Sequence, residues 1–174
     1  AGLVATNNKL IYEKLLSIRN LGSIKKNVHA IQGLNSRLDA IQAVVLKHKL
    51  KTILKFNDLR RKIAKFYDVN LDQIRQIRLT LTNPGSSRHL YVIRTKSRNK
   101  LIKYLSKKKI SSQIHYPYSL NKMKNFQKGN KKKELLINSE KWVKECLSLP
   151  IHPNLKFNEA CRVVREIKNF FKIK

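Results

Sequence analysis

Asn35 and Arg37, two positions apart, carry hydrogen-bonding side chains in the loop ahead of a helix. A side-chain amide can donate its N–H groups to a phosphate oxygen, and a guanidinium presents a planar fork of donors. Both lie in Gly33-Leu34-Asn35-Ser36-Arg37-Leu38-Asp39-Ala40-Ile41-Gln42-Ala43, where a loop glycine leads into a helix. Each has a plainer reading too. Asn35 suits a turn ahead of the helix, and Arg37 suits an ion pair with Asp39 or another acid. Lys25, Lys26 and His29 form a second basic group, in a polar stretch that also reads as a solvated loop. His115-Tyr116 is a third group, a hydrogen-bonding pair closing a strand before Pro117, and a structural role is open to it. His152, in a turn between Pro150 and Pro153, reads as structural. Cys146 and Cys161 match no metal spacing and no Cys-x-x-C, so buried reduced thiols are expected.

The elements that must carry these groups follow from periodicity. Residues 2–6 read as a buried strand already under way, as an internal fragment would begin. Residues 9–20 carry apolar positions with helical spacing, and Gly22 stands where a helix-ending glycine belongs. Residues 22–35 form a long polar loop, a length that tends to be functional. Ser36 suits a helix cap, with Asp39 three residues later as its capping carboxylate. Beyond it Leu38, Ile41, Val45, Phe56, Leu59, Ile63 and Tyr67 fall on one helical stripe, and lysines occupy the opposite one. No Pro or Gly interrupts residues 36–67, so a single helix of about 30 residues, some 45 Å long, is expected. A helix of that length would bridge two domains.

Alternation predicts strands at residues 77–82, 89–95 and 111–116, with a turn at Asn83-Pro84-Gly85-Ser86. Helices are expected from Ser97 to about Lys108, from Ser139 to just before Leu149, and from Asn158 onward with Ala160, Val164, Ile167 and Phe171 inward. The expected class is α/β: a strand and helix, a long connecting helix, then a small sheet covered by helices. Residues 1–35, 36–70 and 71–174 are the corresponding segments.

A formal charge of +29 on 174 residues is extreme. It suits nucleic acid, an anionic membrane or a phosphorylated substrate. Base-composition drift accounts for it as well, since Lys, Asn and Ile are all abundant and Lys far outnumbers Arg. The densest clusters, Lys107-Lys108-Lys109 and Lys131-Lys132-Lys133, look like exposed loops. With 41% hydrophobic residues a core is affordable, and no apolar run reaches the ~20 residues of a membrane helix.

The segment from Gly33 to Ala43 closely resembles the Gly-x-Asn-x-Arg-x-x-x-x-Gln-Ala signature of the nucleotide-sugar aminotransferases, pyridoxal 5'-phosphate (PLP) enzymes of the aspartate-aminotransferase fold, fold type I. Ala1 to Asn8, Arg19-Asn20-Leu21-Gly22, Leu90 to Arg94, Ile114-His115-Tyr116-Pro117 and Leu147 to Pro153 resemble further family hallmarks in the same order. The resemblance implies the C-terminal part of such an enzyme, with the Schiff-base lysine and the groups that hold the cofactor ring upstream of residue 1. No lysine of this chain stands in that context, so the chain alone is expected to be unable to transaminate. It also implies a cytoplasmic homodimer that moves an amino group from an amino acid, usually glutamate, to a nucleotide-linked keto-sugar in amino-sugar or polysaccharide synthesis.

In the family the residue matching Asn35 reaches across the dimer to the partner's PLP phosphate, and Arg37 would help hold phosphate or loop. His115 and Tyr116 fall where the family often contacts the sugar nucleotide. Lys25, Lys26 and His29 would meet its diphosphate. The stretch Tyr118-Ser119-Leu120-Asn121-Lys122 departs from the family pattern at its acceptor side. The alternative is a non-catalytic basic α/β module on nucleic acid. It has the charge and a lysine stripe, and lacks zinc spacing, an RNP-type aromatic strand or a clustered recognition helix.

Overall fold

The computed structural model describes residues 2–127 and 136–173, so the Lys131-Lys132-Lys133 cluster lies outside the described residues. The chain divides into two compact units, residues 1–53 and 54–174.

Unit 1 starts from a capped helix. Asn8 accepts a hydrogen bond from the Ile11 amide at 3.1 Å and opens α1 (Lys9–Ile18). Gly22 follows with φ +74°, a left-handed turn that favours glycine. The polar stretch beyond is an ordered hairpin: β1 (Ser23–Lys25) pairs antiparallel with β2 (Val28–His29) through a turn in which Asn27 has φ +65°. The expected strand at residues 2–6 is absent. No neighbouring strand pairs with it among the described residues, and Leu3 and Val4 are exposed.

The single long helix is two helices. α2 (Ala40–Leu50) and α3 (Ile53–Leu71) are separated by a turn at Lys51-Thr52, whose amides bond back to His48 and Lys49 carbonyls. The cap of α2 is Asp39, not Ser36: its carboxylate accepts from the Ile41 amide at 2.8 Å. A carboxylate there also favours the positive end of the helix. The apolar stripe divides with the helix. Ile63 and Tyr67 on α3 are buried, whereas Leu38, Ile41 and Val45 are exposed.

Unit 2 is built on a three-stranded antiparallel sheet of order β3 (Arg78–Leu79), β4 (Tyr91–Arg94), β5 (Cys146–Leu149). β5 was expected as the end of a helix. Instead α6 (Ile137–Glu145) stops at Glu145, and all four residues of β5 are buried. Burial on both faces removes the polar alternation that marks a strand. The predicted strand at 111–116 reduces to one bridge, Gln113 with Ser148. Register places Tyr91 opposite Leu149 and Ile93 opposite Leu147. These four share one face and one core with Tyr67 and Leu71 of α3, Leu101 and Leu105 of α4 (Arg98–Lys107) and Ala160, Val164 and Ile167 of α7 (Phe157–Phe171). A short α5 (Lys124–Gln127) follows a 3-10 turn at Leu120–Lys122.

Three buried polar clusters in unit 2 are paired, as low dielectric favours. Tyr67, held neutral by burial that pushes its hydroxyl pKa up, donates to the Pro150 carbonyl at 3.0 Å. Tyr91 donates to Asp68 at 2.8 Å while Arg88 bonds the other oxygen at 2.9 Å. Arg94 pairs with Glu145 at 2.8 Å and lies over the Trp142 ring, 5.1 Å from its centroid.

Candidate functional site

In unit 1 two glycines let the segments on either side of the hairpin meet. The backbone of residues 33–36 runs against residues 18–22: Leu34 N donates to Ile18 O at 2.8 Å, Ser36 N to Arg19 O at 2.9 Å, and Leu21 N to Leu34 O at 3.1 Å. Asn20 and Asn35 are bridge partners. A Cβ on Gly33 would lie 2.0 Å from Gly22 N, and one on Gly22 would lie 1.7 Å from Ile31 O. Only hydrogen at these positions lets the two segments approach this closely. Arg19-Asn20-Leu21-Gly22 and Gly33-Leu34-Asn35, distant in sequence, thus form one surface.

On that surface the Asn35 side chain is exposed, and Arg37 Nε donates to its Oδ1 at 3.4 Å. The amide is turned by this contact. With its oxygen accepting there, its NH2 remains a donor. The alternative partner, Asp39, is occupied by the α2 amide, and no Arg37–Asp39 ion pair occurs among the described residues. His29 Nδ1 lies 3.0 Å from Leu21 O, which requires an Nδ1–H donor and ties the hairpin to the Gly22 turn. Lys25 and Lys26 are exposed at the hairpin tip. Residues 21–36 contain no Asp or Glu. Amide N–H, guanidinium and ammonium groups are the donors that suit the phosphate of a cofactor or substrate.

His115 and Tyr116 lie in unit 2. His115 lines an open groove with His89, Gln113, Ser148, Pro150 and His152, and among the described residues no carboxylate lines it. His115 Nδ1 is 2.8 Å from Ser148 Oγ. Tyr116 is 76% exposed and holds φ +64°, a region that bulky side chains rarely adopt. The groove also brings in His89 and Ser148, which sequence reasoning did not single out, and His152, which it read as structural. Ser148 had one usable signal: it stands inside the Leu147 to Pro153 hallmark. Among the described residues no group of His, Cys, Asp and Glu is arranged to hold a metal, and no helix is long and apolar enough to cross a membrane. Cys146 is buried and Cys161 half-buried, both as free thiols.

Residues 1–168 match the profile of the DegT/DnrJ/EryC1/StrS aminotransferase family. The dTDP-3-amino-3,6-dideoxy-alpha-D-galactopyranose transaminase of Aneurinibacillus thermoaerophilus is 34% identical over 173 residues, 97% of this chain and 46% of that protein. The crystal structure of DesV from S. venezuelae is similar with a TM-score of 0.88 at 30% identity, over 97% of this chain and 46% of that one. Bacillus subtilis NtdA, crystallised with bound cofactor PMP, shares the fold at a TM-score of 0.86 and 23% identity, over 97% and 41% of the two chains. The chain spans about half the length of the curated relatives it matches.

Proposed function

Because the chain belongs to the DegT/DnrJ/EryC1/StrS aminotransferase family, we propose that it is the carboxy-terminal portion of a PLP-dependent nucleotide-sugar aminotransferase. The enzyme moves an amino group from an amino acid, glutamate by preference, to a nucleotide-linked keto-sugar in amino-sugar or polysaccharide synthesis. Residues 1–35 belong to its large cofactor domain, 36–70 to the connection and 71–174 to the small domain. It works as a homodimer whose active sites are shared across the interface. Its two free thiols fit the reducing cytoplasm.

The observation that carries the reading is the family match over residues 1–168, joined to an exposed Asn35 amide with the Arg37 guanidinium beside it. PLP, when bound, supplies an electron sink for the carbon that exchanges its amine. This chain's residues bind and orient. Asn35 donates its amide N–H to the cofactor phosphate of the neighbouring subunit. Arg37 holds that amide in its donating orientation. Lys25, Lys26 and His29 meet the substrate diphosphate, and His115 and Tyr116 contact the sugar. The rare backbone conformation of Tyr116 supports this role, since such conformations cluster where a side chain must be aimed.

The exposed apolar side chains of unit 1 also support a larger assembly. Ile24, Leu34, Leu38, Ile41, Val44 and Leu50 are each more than half exposed, more than an isolated surface usually leaves uncovered. No lysine of the chain is assigned the Schiff base, so the 174-residue chain alone is inactive. The nucleic-acid alternative accounts for the charge and for none of these features.

The complete gene product tests the proposal. Purified, it is expected to carry the visible absorption of its cofactor and to lose it when glutamate is added without an acceptor. A product that takes up no PLP, or whose spectrum glutamate leaves unchanged, would overturn the reading.

A further inference from the structure

Ser148 sits within β5, 5% exposed, with its backbone fixed from both sides. It is in register with Val92 of β4, and on its other edge it exchanges two hydrogen bonds with Gln113, at 2.8 and 3.2 Å. Its side chain lies on the sheet face opposite Leu147 and Leu149, as strand alternation requires. There, among the described residues, the hydroxyl meets His115 Nδ1 at 2.8 Å.

A buried hydroxyl carries one proton, and leaving that proton without an acceptor costs about 1–3 kcal/mol. The ring nitrogen is the hydroxyl's hydrogen-bonding partner among the described residues. An O–H that donates to Nδ1 requires that nitrogen to be the unprotonated one of a neutral imidazole. Nε2 then carries the ring proton. Since Ser148 occupies Nδ1, Nε2–H is the nitrogen left for the groove that His115 lines. Among the described residues the groove's other titratable groups are His89 and His152, with no carboxylate to compete for that donor.

We propose that Ser148 is a positioning residue: its hydroxyl fixes the tautomer and ring orientation of His115, so that Nε2–H donates to an acceptor oxygen of the nucleotide sugar. The sugar contact rests on the function proposed for His115. The tautomer does not.

The test uses the complete enzyme with its cofactor, labelled with 15N-histidine, at a pH well above the ordinary imidazole value of about 6.5. Long-range proton–nitrogen spectra report the tautomer of His115, whose signals are assigned by their loss in His115→Gln. The wild type should show protonated Nε2. Ser148→Ala should give a mixture of tautomers, and Ser148→Thr, which keeps the hydroxyl, should restore the single form. Dissociation constants for two non-reacting probes, dTDP-glucose and UDP-N-acetylglucosamine, should rise roughly 3- to 10-fold in Ser148→Ala, about the loss of one neutral hydrogen bond. An unchanged tautomer in Ser148→Ala overturns the positioning role. A shifted tautomer with probe affinity unchanged in both Ser148→Ala and His115→Gln overturns the sugar contact, and leaves the cofactor part of the proposed function standing.

Discussion

An asparagine amide donates reliably to phosphate only if its oxygen is engaged elsewhere, because the group can rotate to present either end. Arg37 engages that oxygen at 3.4 Å, which turns a two-faced side chain into a donor. On the proposed phosphate role, Asn35→Ala in the complete enzyme would remove a hydrogen bond to a charged group, about 1.5–3 kcal/mol. PLP affinity is expected to fall roughly 10- to 100-fold by the same conversion, read by absorbance after dialysis. Arg37→Ala should cost less, since it acts through Asn35. Unchanged retention in Asn35→Ala would remove the phosphate role. The left-handed Tyr116 and the Ser148 hydroxyl make the same point: a residue's chemistry depends on how its neighbours orient it.

Between elements, contact distance and charge decide. Gly22 and Gly33 let two segments meet at a spacing no Cβ permits. Gly22→Ala carries the left-handed penalty, about 1–3 kcal/mol, and collides with the Ile31 carbonyl. Amide exchange at Leu21 and Leu34, which bond across this contact, should accelerate. Protection equal to wild type would show that the close approach is dispensable. Packing of α4 on α7 brings Tyr104 to within 2.9 Å of Glu166, with Lys108 at 3.6 Å and Arg165 at 3.9 Å. The Tyr104 hydrogen bond, then the two cations, hold this carboxyl below its ordinary value of 4.5. A depressed folded-state pKa gives stability that is fully present above 4.5 and lost as pH falls through the lowered value. The drop in Tm on acidification should therefore shrink in Tyr104→Phe, checked by thermal melts at neutral and acid pH. Equal drops would exclude the linkage.

At the scale of the whole molecule the burial is uneven. The hydrophobic core runs from Ile63 to Ile167 and belongs to unit 2, while Ser17 and Gly22 are the residues buried in unit 1. Backbone protection follows buried contacts. Hydrogen exchange of the 174-residue chain is expected to be fast across residues 2–53 and slow at Tyr67, Ile93, Leu101 and Ile167. Equal protection in both units would mean that unit 1 has stability beyond its own packing. In the complete enzyme the protection of unit 1 should rise, as its apolar side chains are covered.

The family, the α1 helix, the Gly22 turn and the inward face of α7 were legible in the sequence, because periodicity, punctuation and motif order are local properties of the chain. Asp39 replacing Ser36 as cap and the break at Lys51-Thr52 were not, since neither competing cap nor mid-helix turn leaves a Gly or Pro in the text. β5 was hidden for a different reason. A strand buried on both faces has no alternation, and only its pairing with Tyr91–Arg94 and Gln113 identifies it. The candidate site divides the same way. Residue types nominated Asn35, Arg37 and His115, but which nitrogen of His115 is free and which end of the Asn35 amide faces outward depend on Ser148 and Arg37. Those are contacts through space, and tertiary structure alone brings their partners within hydrogen-bonding range.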